Sequence, residues 1–183
     1  MTTLPATATP AAQPRLAGVI SICCLLFAIA LPVFSVYFGL TEPQKLINSL
    51  NLHKPVNVAD LSALQRIAVA VLGTFSPLFQ AYGLLCARRC FQSFARREFF
   101  TPQVVKALRG FAAGLFLAIV ASILVVPLLS YVVTMNAGPG GHTVSIGIES
   151  DQVFRLLFAG ILWQIAGVMM NGVKLAEENS QFV

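Results

Sequence analysis

Charge is what this chain has least of. Of 183 residues only 10% are Asp, Glu, Lys or Arg, while 57% are hydrophobic. A soluble domain carries about 25% charged residues, so most of this surface must face something other than water. The shortage is concentrated. Segments 16–40, 67–87, 111–133 and 154–172 contain no Asp, Glu or Lys, and their one Arg is Arg155, a residue inside the fourth. At about 1.5 Å per residue, some 20 residues cross the roughly 30 Å hydrocarbon core of a bilayer. Backbone amides in lipid must be satisfied within their own segment, which makes such spans helical. The expected fold is all-α, a four-helix transmembrane bundle.

Other absences narrow the function. Ion or proton coupling through a bilayer needs an ionisable group at depth, and the spans hold none away from their ends. The sequence has no HExxH, no phosphate-binding Walker loop and no G-x-S-x-G, so no catalytic role is expected. Two histidines, His53 and His142, stand far apart in outer loops, too few ligands for zinc. Four cysteines do not form a disulfide framework: Cys23 and Cys24 lie in the first span, Cys86 and Cys90 near the cytoplasmic end of the second. No metal or cofactor site is expected. A basic stripe with stacking aromatics is also missing, which argues against direct nucleic-acid binding.

What charge there is has a side. Arg88, Arg89, Arg96, Arg97, Lys106 and Arg109 separate the second and third spans, and Arg15 and Lys174 flank the first and fourth. These eight face Lys45, Lys54, Arg66 and Arg155 on the other side, which Glu42, Asp60, Glu149 and Asp151 balance. Cytoplasmic loops are enriched in Lys and Arg, so the second turn and both termini are expected inside, in a cytoplasmic membrane. Residues 1–14, rich in Thr, Ala and Pro, cannot bury a core and read as a disordered tail before one membrane domain over 15–183.

Local signals refine the layout. Thr41-Glu42-Pro43-Gln44 reads as a capping box opening a short amphipathic helix with Leu46, Ile47 and Leu50 on one side. Asp60 can cap the second long helix, expected over about 61–97 and so protruding into the cytoplasm. Thr101-Pro102 supplies a capping hydroxyl and a proline at the first position of the third. Outside, Val144, Ile146 and Ile148 alternate with small residues; paired with 56–58 they would make a two-stranded sheet. Pro32, Pro77 and Pro127 each interrupt a span.

Within the spans, Gly110, Gly114, Ala118 and Ser122 place a small residue every four positions, a seam for close helix approach. Its partner is by default another helix of the same chain, the alternative being a homo-oligomer. Gln80 and Gln164 fall at similar depth on the second and fourth spans, each a candidate hydrogen-bond partner for the other. At the cytoplasmic end, Glu177 and Glu178 leave the fourth helix on the side of Arg88, Arg89, Arg96, Arg97 and Glu98; an acid–arginine contact is expected there, making a docking surface.

Two segments carry a family resemblance. Residues 97–109, Arg-Glu-Phe-Phe-Thr-Pro-Gln-Val-Val-Lys-Ala-Leu-Arg, and the tail Gly-Val-Lys-Leu-Ala-Glu-Glu-Asn at 172–179 resemble a bacterial family catalogued as domain of unknown function 2975. The resemblance implies a bacterial inner-membrane protein of four helices with no assigned chemistry. Some relatives look to be encoded beside a small helix-turn-helix regulator, which implies a cytoplasmic protein partner besides the lipid bilayer. Arg97 departs from the family pattern, standing where glycine is expected to close the second helix. The reading is an interaction or regulatory membrane protein, with a small carrier or channel subunit built on the proline-kinked helices as the alternative.

Overall fold

A computed structural model describes residues 12–48, 61–98, 100–135 and 150–180. Five helices account for nearly all of them: α1 (Ala12–Thr41), α2 (Pro43–Asn48), α3 (Ala63–Ala95), α4 (Pro102–Thr134) and α5 (Ser150–Ser180). α1, α3, α4 and α5 are long and apolar enough to cross a membrane. The segments expected to form a small sheet, 56–58 and 144–148, lie outside the described residues.

Each long helix starts and stops for a local reason. α3 opens on Ser62, whose side chain accepts from the Gln65 backbone N–H while the Ser62 N–H donates to Gln65 Oε1 at 2.9 Å. This is a complete capping box, and it displaces the expected cap at Asp60: only Ser62 has a glutamine three residues on. Thr41, expected to open the short helix, closes α1, and its hydroxyl donates to the Tyr37 carbonyl at 2.7 Å. α3 ends in a Schellman turn, with Arg97 N–H on Phe94 O and Glu98 N–H on Ser93 O, both at 3.0 Å. Arg97 has φ 63°, the left-handed conformation that glycine adopts without strain. α4 begins with Thr101 as cap, its hydroxyl accepting from the Val104 N–H, and Pro102 at the first turn.

Packing follows chain order. Among the described residues α1 lies along α3, α3 along α4, and α4 along α5, while α1 and α5 share no extensive interface. The expected bundle is therefore an open row. Its two ends explain the exposure of Phe27, Phe34 and Tyr37 on α1 and of Phe154, Leu157 and Val168 on α5. Exposure of large apolar side chains is what lipid contact requires and what water would penalise. α3 and α4 both run 33 residues, so the second long helix has no length advantage over the third.

The α1–α3 contact is made close by small residues and one hydroxyl. A Cβ on Gly39 would stand 3.0 Å from Ala70 Cα. Pro77 has no N–H to give the Gly73 carbonyl, four residues back; Ser35 of α1 donates to that carbonyl at 3.1 Å. A group orphaned by proline is thus satisfied from the neighbouring helix.

Candidate functional site

The α3–α4 hairpin is closely packed along its length. A Cβ on Gly114 would come within 2.5 Å of Gly83 Cα, so the two backbones touch. A Cβ on Gly110 would meet Cys86 Sγ at 2.7 Å. Ala118 is buried, and its carbonyl accepts from the Ser76 hydroxyl at 3.0 Å. Three members of the small-residue seam therefore pack on α3. The fourth, Ser122, donates to Ile119 O at 2.7 Å and accepts from Gln152 Nε2 of α5 at 3.4 Å. Farther along, Gln65 Nε2 donates to Val132 O at 2.8 Å, tying the far end of the hairpin. Gln65 thus serves as both cap and interhelical bridge, and the Ser62–Gln65 spacing is the sequence signal for the first of these roles.

Gln80 and Gln164 do not meet. α5 packs on α4 rather than α3, so equal depth does not become contact. Gln80 is half-buried, Gln164 is exposed, and neither has a hydrogen-bond partner among the described residues. The buried face of α5 consists of Ala159, Ala166 and Val173, seven residues apart, and Ala166 and Val173 pack with Val105 and Leu108 of α4. Gln164 lies off that buried face and lines an open groove beside it.

At the hairpin tip Arg96, Arg97 and Glu98 are all exposed. Glu178 is exposed and forms no ion pair among the described residues; the Glu177 side chain lies outside them. The expected acid–arginine clasp is thus missing for Glu178. None of Arg15, Arg88, Arg89, Arg96, Arg97, Lys106, Arg109 and Lys174 pairs with an acid among the described residues. At the opposite end, Lys45 pairs with Glu42 and Arg155 with Asp151. Arg109 is distinctive within the unpaired set: its guanidinium carbon lies 5.8 Å from the Trp163 ring centre, and its Nε is enclosed without a hydrogen-bond acceptor. Sequence inspection missed this pairing because the two residues lie 54 positions apart on helices whose contact hydropathy does not specify.

Cys24, Cys86 and Cys90 are buried and Cys23 is exposed, all free thiols. No group of three or more His, Cys, Asp or Glu able to hold a metal is found among the described residues. Comparison with protein-family models, curated proteins and solved structures found no match.

Proposed function

We propose that this chain is a multi-pass protein of a bacterial cytoplasmic membrane, with both termini inside, that works by interaction rather than by catalysis. The observation that carries this reading is the difference between the two ends of the helices. One end collects eight cations with no acid partner among the described residues, whereas Lys45 and Arg155 at the other end are matched within their own helical turn or the next. Unmatched cations at a membrane boundary keep their charge available for something outside the chain, and positive-inside placement orients that end to the cytoplasm. The exposed tip at Arg96, Arg97 and Glu98 is the docking surface for a cytoplasmic protein, for which the family resemblance suggests a small helix-turn-helix regulator.

The test is capture from detergent-solubilised membranes through a tag on either terminus. A cytoplasmic protein should co-purify with the native chain and be lost from the Arg96→Gln, Arg97→Gln double variant. Recovery unchanged by the double variant would exclude the tip as the docking surface. A reporter fused after Arg96 that is active only outside would overturn the orientation itself.

A further inference from the structure

We infer that the junction of α3, α4 and α5 at the cation-rich end is a seat for one anionic phospholipid, its headgroup phosphate held by Arg109, Lys106 and Arg89 and its acyl chains in the groove between α4 and α5. The inference rests on the membrane reading above and names a ligand for one part of it.

Depth is fixed by a contact. Cys86 of α3 abuts Gly110 of α4, and the Tyr82 hydroxyl lies 3.9 Å from where a Gly110 Cβ would stand. Arg109 adjoins that contact directly. One turn nearer the hairpin turn come Lys106 on α4 and Arg89 on α3, three residues from Arg109 and from Cys86. Arg89 is also seven residues beyond Tyr82 and therefore on the same helix face. Three cations from two helices thus reach one level, with no acid partner among the described residues.

Two aromatic residues frame them. Trp163 stacks by the Arg109 guanidinium, and Tyr82 presents its hydroxyl at the Cys86–Gly110 contact. Amphipathic rings of this kind favour the level of lipid headgroups. The stack holds Arg109 while its terminal guanidinium nitrogens have no acceptors among the described residues. A phosphate, two of whose oxygens can accept from the planar guanidinium fork, supplies them.

The same tryptophan is part of the wall of an apolar groove of 1320 Å³. Ala113, Phe116 and Leu117 of α4 and Gly160, Trp163 and Gln164 of α5 line it. Sites for drug-sized ligands measure roughly 300–1,000 Å³, so this groove has room for hydrocarbon chains. Its continuity with the cations through Trp163 is what selects a lipid over a free anion: one molecule with a charged head and apolar tails matches both halves. Basic pockets between membrane helices on the cytoplasmic side are a known form of such recognition.

The experiment is native mass spectrometry of the full chain in detergent, titrated separately with phosphatidylglycerol, phosphatidylcholine and inorganic phosphate. Phosphatidylglycerol should be retained at one equivalent, phosphatidylcholine stripped at the same collision energy, and phosphate alone should leave no adduct. Arg109→Gln should weaken phosphatidylglycerol retention about fivefold, as expected for one interfacial cation. Arg109→Lys, which keeps the charge but loses the planar fork of donors, should fall between. Ala113→Trp, which leaves every cation in place and fills the groove, should also abolish retention. Equal retention of the two lipids, no change in Arg109→Gln, or displacement of phosphatidylglycerol by inorganic phosphate would each overturn the inference. Failure of the membrane reading itself looks different: the protein would then stay in solution after alkaline extraction without detergent.

Discussion

The two faces of α4 make opposite kinds of contact. Toward α3 it offers Gly110, Gly114 and Ala118, and the helices close until Gly83 and Gly114 backbones touch, with Ser76 and Gln65 donating across the interface. Toward α5 it offers Val105 and Leu108 against Ala166 and Val173, one 3.4 Å bond from Gln152 to Ser122, and an open groove. Gly160, Gly167 and Gly172 of α5 have nothing within 4 Å of a built Cβ. Glycine in a membrane helix is therefore no guide by itself: on α3 and α4 it removes bulk where backbones meet, and on α5 it leaves room.

That contrast can be broken most severely at Gly114. Its Cβ has only backbone to meet, so Gly114→Leu should cost about 3 kcal/mol or more and split the hairpin, read as a large fall in melting temperature in detergent. Next comes Gln65→Leu, which strands the Val132 carbonyl and the Ser62 N–H together; a loss of about 1–2 kcal/mol by the same assay is expected. Arg97→Gly should move stability the other way, by about 1 kcal/mol, because it relieves a left-handed backbone in the Schellman turn. The smallest effect belongs to the loose side: Gly167→Leu should change the melting temperature little, within roughly 0.5 kcal/mol. Equal damage from Gly114→Leu and Gly167→Leu would erase the distinction between the two faces.

Much of the architecture was readable because hydropathy and capping act locally. The four apolar stretches fall inside α1, α3, α4 and α5, and Thr101-Pro102 opens α4 where a hydroxyl followed by proline should. The glycine expected at position 97 is explained by the left-handed backbone that Arg97 adopts there. Packing order was not readable. Depth can be counted along a helix, so Gln80 and Gln164 were placed level, but which helix each faces depends on neighbours that apolar composition does not encode. The same limit hid the Arg109–Trp163 stack, which exists only because α5 lies on α4. The capping site of α3 was missed for a smaller reason: Asp60 and Ser62 are both good caps, and only the glutamine at 65 decides between them.

Because every broad interface among the described residues joins one long helix to the next along the chain, none of these contacts made early must wait for a helix made late. A ribosome releasing this polypeptide into a bilayer could complete the α1–α3 contact, then the glycine hairpin, before α5 had emerged. Assembly by successive addition leaves the last helix as the part most easily exchanged or delayed without undoing what preceded it.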